Sequence, residues 1–164
     1  MGISARIGIM AVAAVVAGGV LLSSEAINAA MSAKEAIEAR KQAMKDMSAD
    51  NKAIKAFLTD GKGTTATVGD KASEIAATAK QIVALFPKGS GRGDFSDKET
   101  RALPKIWSDW TGYENAATVM VVEAGKLAEI AKTGDKGMIA EQFAKMGKEG
   151  CGGCHKVYRG AKVK

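Results

Sequence analysis

From Ser32 onward, apolar positions return at helical intervals. Ile37, Met44, Met47, Ile54 and Leu58 follow one another at spacings of seven, three, seven and four, which places them on one stripe of a helix. The spacing predicts a helix over 33–59, opened by the capping box Ser32-Ala33-Lys34-Glu35 and stopped by Asp60-Gly61-Lys62-Gly63. Ile75, Ala79, Ile82 and Phe86, at four, three and four, predict a second helix over 67–86. Phe86-Pro87-Lys88-Gly89-Ser90-Gly91-Arg92-Gly93 reads as a loop, and Ser96-Asp97-Lys98-Glu99 offers a second capping box. Pro104 fits a helix start, so a third helix is expected over 104–132 with the stripe Trp107, Trp110, Ala117, Val121, Ala124 and Leu127. Thr133-Gly134-Asp135 interrupts it, and Asp135 can cap a fourth helix over 136–161 that turns Ile139, Phe143 and Met146 inward. No segment alternates with period two, and no internal repeat is visible. The fold class is therefore all-α, an antiparallel four-helix bundle.

The first thirty residues follow another pattern. Arg6 supplies a positive charge, Ile7 to Leu22 is uncharged and apolar, and small residues follow at Ser24-Glu25-Ala26 and Asn28-Ala29-Ala30. That order predicts a cleavable signal peptide over 1–26, with the cut as late as 30, and a domain over 31–164. A retained membrane anchor is the alternative, since the apolar stretch approaches the ~17 residues that can just span a bilayer. Export from a Gram-negative host leads to the periplasm, with no stable membrane anchor after cleavage. Removing Arg6 and Glu25 cancels one charge of each sign, so the net charge stays at +6.

Composition narrows the classes further. Of the 164 residues, 46% are hydrophobic and 26% charged, with two prolines, which excludes a disordered or collagen-like chain. The basic balance invites a nucleic-acid reading, but Lys and Arg are interleaved with Asp and Glu along all four helices, as on a solvated surface, so no nucleic-acid partner is expected. Two cysteines and one histidine are too few for a closed Cys₄ or Cys₂His₂ zinc site or for a scaffold of several disulfides.

All three fall in one motif, Cys151-Gly152-Gly153-Cys154-His155. C-x-x-C-H is the form in which two thiols attach a haem and the adjacent histidine binds its iron. On a helix, positions three and four apart share a face, so Cys151, Cys154 and His155 project to one side. A thioredoxin-like dithiol is a weaker reading, because it needs a strand followed by a helix N-terminus. A Cys151–Cys154 disulfide would close too short a loop to constrain the unfolded chain much, and zinc lacks a clear fourth ligand. The nine residues after His155 are too few for a downstream loop over the far haem face, so the pocket is expected from upstream helices.

Three pieces of the chain resemble one family: Glu38-Ala39-Arg40-Lys41-Gln42-Ala43-Met44-Lys45, Leu103-Pro104-Lys105-Ile106-Trp107-Ser108-Asp109, and Cys151-Gly152-Gly153-Cys154-His155-Lys156-Val157-Tyr158-Arg159. The chain is similar to the class II c-type cytochromes, cytochrome c′ and the low-spin c-556 type, and the 86–90 loop looks more like the c-556 branch. The resemblance implies one covalent haem c on Cys151 and Cys154, with His155 as an axial iron ligand. It implies Arg40 against a haem propionate and Met44 facing the distal side of the iron, as the sixth ligand in the low-spin branch or as a blocking residue in cytochrome c′. Met47 is the runner-up ligand. Arg159 is expected to contact a propionate or the haem edge, or to cap the helix end. Trp107, Trp110, Phe143 and Phe57 are candidates for haem packing.

The expected function is a periplasmic one-electron carrier with His155 and Met44 as axial ligands; the alternative is a high-spin, five-coordinate cytochrome c′ that binds NO or CO. With the only histidine assigned to the iron, no distal acid or base remains, so an enzyme of the peroxidase type is not expected. Lys156, Lys162 and Lys164 would form a basic rim that attracts acidic redox proteins. The protein is expected as a monomer or homodimer.

Overall fold

The computed structural model describes residues 31–163. The expected signal segment and Lys164 lie outside the described residues. Helix α1 (Ala33–Asp60) begins with the expected capping box: Ser32 N donates to Glu35 Oε2 at 2.8 Å and Glu35 N donates to Ser32 Oγ at 3.3 Å. It ends at Gly61, whose φ of 66° is the left-handed cap that favours glycine. Helix α2 (Thr65–Ile82) continues as a 3₁₀ turn, Val83–Leu85, so the second predicted helix tightens in its last turn before the loop.

The third predicted helix is two. A short α3 (Lys105–Ser108) and a long α4 (Trp110–Ala131) are divided at Asp109, which has φ −136° and ψ 54°. The break aims the Asp109 carboxylate at the Tyr158 hydroxyl, which donates to it at 2.9 Å. A Cβ on Gly112 would lie 2.5 Å from Asp109 Oδ1 and 2.6 Å from Tyr158 Oη, so only glycine lets this contact pass over the first turn of α4. Only half of the second capping box forms: Ser96 N donates to Glu99 Oε2 at 3.1 Å, but Glu99 N donates to the Ser96 carbonyl at 3.0 Å, and the segment closes a turn and starts no helix.

The fourth predicted helix is continuous in space and changes its winding: α5 (Lys136–Lys145), a π segment (Met146–Gly152) and α6 (Gly153–Tyr158). Asp135 caps α5 as expected, accepting from Gly137 N at 2.8 Å and Met138 N at 3.0 Å. Short connections at 61–64 and 132–135 make α1/α2 and α4/α5 antiparallel neighbours, and the long segment 86–104 joins α2 to α3. Among the described residues the extended backbone amounts to two isolated bridges, Arg92 with Phe95 and Ala102 with Arg159. No described helix is long and apolar enough to cross a membrane.

Two apolar clusters fill the bundle. One gathers Ile54, Val68, Ile75, Leu127, Ile139 and Met146 with alanines of α2 and α4. Those alanines and Gly69 let α2 and α4 approach closely; a Cβ on Gly69 would meet Ala131 Cβ at 3.6 Å. Each fully buried Ile or Leu here contributes about 1.5–3 kcal/mol. The other cluster, Ile82, Phe86, Ala102, Ile106, Tyr113, Ala117 and Tyr158, lies where the long segment meets α6.

Candidate functional site

The C-x-x-C-H motif straddles the change from π to α winding, with Cys151 in the π segment and Cys154 and His155 in α6. Such segments recur at functional sites. Gly147, Gly150 and Gly152 all fall in it, and Gly150 is buried against Met120 of α4. A Cβ there would sit 2.4 Å from Met120 Sδ and 3.2 Å from Met120 Cα, so the two backbones touch. The sulfur can move aside, but the Cα cannot without moving α4. Gly150→Ala is therefore expected to lower stability by about 1–3 kcal/mol, as overpacking does. A urea midpoint unchanged from wild type would contradict that close approach.

Beside the motif lies a cavity of about 1210 Å³. α1 contributes Ile37, Arg40, Met44 and Met47; the end of α2 and the following turn contribute Ile82 and Phe86; α4 contributes Tyr113, Ala117 and Met120; the last elements contribute Cys151, Cys154, His155, Tyr158 and Arg159. The volume exceeds the ~300–1,000 Å³ of ordinary small-molecule sites, as a porphyrin-sized occupant requires. The donor set also fits haem: two thiols not joined in a disulfide and one imidazole face the same space. Burial, with Arg159 and Arg101 nearby, lowers the His155 pKa to about 4, so its imidazole is neutral and has a lone pair to offer at neutral pH. Burial raises the Cys151 thiol and pushes Cys154 up to about 11, the opposite of the depressed pKa that a dithiol redox centre uses.

The expected ligands and attachment residues are thus brought together, with Met44 and Met47 both on the α1 wall. Arg40 borders the cavity too, but its guanidinium turns into the protein. Nη1 donates to Leu85 O at 3.3 Å and Ser90 Oγ at 2.8 Å, and Nη2 donates to Thr100 Oγ1 at 2.7 Å and to Ser90 O. Its Cζ stands 4.5 Å from the Phe86 ring centroid. The residue ties α1 to both ends of the 85–100 stretch. Arg159 is exposed on the cavity rim, and its backbone bridges Ala102. Beside it Gly160 N donates to Arg101 O and Arg101 Nε donates to Gly160 O, each at 2.8 Å, so the long segment is pinned to the chain's end as well. Lys162 lies on the same rim, and Lys156 is exposed on α6.

The aromatic expectations need correction. Trp107 does not line the cavity: its indole donates to Phe86 O at 3.0 Å, and its ring fills the space above Gly91, where a Cβ would come within 2.3 Å. It props the loop from behind. Trp110 stacks on Tyr113 at 5.7 Å, while Phe57 and Phe143 pack on the other apolar cluster. The α4 residues that do reach the cavity are Tyr113, Ala116, Ala117 and Met120. That stripe was present in the sequence, since Tyr113 follows Trp110 by three and Ala117 belongs to the predicted set.

A profile of the Cytochrome C′ family matches residues 35–159. Cytochrome c-554 of Cereibacter sphaeroides is 37% identical over 92 residues, which cover 56% of this chain and 66% of that protein. The structure is similar to cytochrome c prime from Shewanella frigidimarina, with 33% identity and a TM-score of 0.69 over 79% of this chain and 98% of that one. It is equally similar to a cytochrome c′ described as having a ligand-controlled dimer dissociation, with 31% identity and a TM-score of 0.70 over 80% of this chain and 98% of that one.

Proposed function

Because this chain belongs to the cytochrome c′ family, whose cofactor is one covalent haem c, we propose that it is the high-spin member of the two expected types, a periplasmic haem protein whose distal side admits NO or CO. When bound, haem would supply one-electron chemistry and an iron able to take small ligands. Cys151 and Cys154 would hold the group through thioethers, and His155 would offer its neutral imidazole to the iron. Arg40, whose guanidinium is bonded inside the protein, would add positive charge beside the cavity.

The observation that carries this reading is the packing of Met44. Its side chain is half-buried against the apolar cluster that contains Ile82, Phe86, Tyr113 and Ala117. A thioether packed in this way acts as an apolar wall, and an apolar wall favours small uncharged ligands. The same methionine borders the cavity that His155 enters, which supports the low-spin carrier as the second reading. Homodimerisation sensitive to a bound ligand fits the proposal, by likeness to the relative described as a ligand-controlled dimer.

The visible spectrum of the ferrous protein with and without CO separates the two. The expected spectrum is high-spin and shifts when CO is added, and Met44→Leu keeps the same spin state. A low-spin spectrum indifferent to CO, converted to high-spin by Met44→Leu, would establish Met44 as the sixth ligand and the protein as an electron carrier alone.

A further inference from the structure

Two groups on the cavity wall lack the partner that their burial calls for. Arg40 is 5% exposed, yet its guanidinium binds only neutral oxygens, and among the described residues no carboxylate reaches it. A buried cation without an opposite charge is poorly compensated, and burial accordingly lowers its pKa to about 10. Tyr113 is 2% exposed, wedged between the rings of Phe86 at 5.0 Å, Tyr158 at 5.4 Å and Trp110 at 5.7 Å. Among the described residues its hydroxyl has no hydrogen-bond partner, although buried phenols ordinarily find one. Tyr158 shows the ordinary arrangement, since it borders the same cavity and its hydroxyl is satisfied by Asp109 at 2.9 Å.

Burial raises the Tyr113 pKa, so the group is a protonated donor, and Arg40 is near enough to act on it electrostatically. An orphan O–H and an uncompensated guanidinium, packed against the same Phe86 ring, call for one kind of acceptor, an anion with oxygen lone pairs. Neutral diatomic ligands answer the hydrogen bond but leave the charge uncompensated.

We propose that Tyr113 is a positioning residue whose Oη donates a hydrogen bond to a carboxylate of the cavity's occupant, at the end of the cavity where Tyr113 and the buried Arg40 guanidinium pack on the same Phe86 ring. The inference rests on the haem reading above, in which that carboxylate is a propionate. The O–H···O⁻ bond is of the charge-assisted kind, shorter and stronger than a neutral one. It holds the carboxylate ionised and fixes the edge of the group that the two thioethers leave free.

Tyr113→Phe removes one oxygen and preserves the ring packing, so the holoprotein is the sample to test. Resonance Raman of the ferrous protein is expected to show a shifted propionate bending mode, and the reduction potential at neutral pH is expected to fall as the carboxylate charge becomes less compensated. The C–O stretch of the CO adduct stays where it is in wild type. Tyr158→Phe, whose hydroxyl belongs to Asp109, leaves the propionate mode unchanged. A propionate mode and potential identical to wild type would overturn the proposal. So would a change confined to the C–O stretch, which would place the acceptor on the iron ligand, or an equal shift in Tyr158→Phe. Failure of the haem reading itself shows separately, as wild-type protein without any haem band.

Discussion

The Cys151→Ala/Cys154→Ala variant will lose its haem stain completely on a denaturing gel, while wild-type protein and each single variant keep theirs. Denaturation removes every non-covalent contact, so a stain that survives it reports a covalent bond. One thioether is enough to hold the group, which is why the single variants behave like wild type in this assay. They are expected to differ in the folded state, because the two sulfurs sit in different surroundings. Cys151 packs against the cluster around Ile139 and Met146, and Cys154 against the one around Tyr113 and Tyr158. A double variant that kept its stain would move the attachment elsewhere. Wild-type protein that never stained, although matured with haem-attachment machinery, would return the pair to the dithiol or disulfide readings. The double variant is also expected to be less stable than wild type, since a group bound only by the folded chain stabilises it by mass action, and a tethered group more so.

Most of the bundle was legible because its helices bury regular stripes. Ile37, Ile54, Ile75, Leu127 and Ile139 were expected inside, and all are at most 2% exposed. The motif was legible because its chemistry needs fixed spacing within one element. What escaped depends on contacts between elements. The π segment has three glycines in seven residues and therefore almost no hydrophobic pattern to read, and the approach of Gly150 to Met120 of α4 is a contact between elements. The break at Asp109 exists because Tyr158, 49 residues later, donates to that carboxylate. Tyr113 was overlooked because two tryptophans dominate the pattern just before it, and the indole of Trp107 turns out to support the loop while Trp110 packs on Tyr113 itself.

Arg40→Met is expected to destabilise the protein by about 2–4 kcal/mol and to open the 86–104 segment to proteases. The arithmetic begins with the acceptors. Ser90 Oγ still donates to Pro87 O at 2.8 Å, and Thr100 Oγ1 still accepts from Ala102 N at 3.2 Å, so both hydroxyls keep a partner. Leu85 O and Ser90 O lose the donor that Arg40 gave them, and a buried group left unpaired costs about 1–3 kcal/mol. The contact with the Phe86 ring adds about 0.5–2 kcal/mol. Against this stands relief from burying an uncompensated cation, which brings the net below the sum. The loop's other anchors, from Arg101 and Gly160, are untouched, so unfolding should begin at the α1 side and cleavage should fall near Gly89 to Gly93. Arg40→Lys keeps the charge but not the planar fork that reaches Ser90 and Thr100 together, and it should lie between Arg40→Met and wild type. If Arg40→Met matched the wild-type urea midpoint and resisted cleavage, the 86–104 segment would have to be held by the Arg101–Gly160 side alone. If Arg40→Lys matched wild type, charge rather than geometry would be what the site requires of this residue.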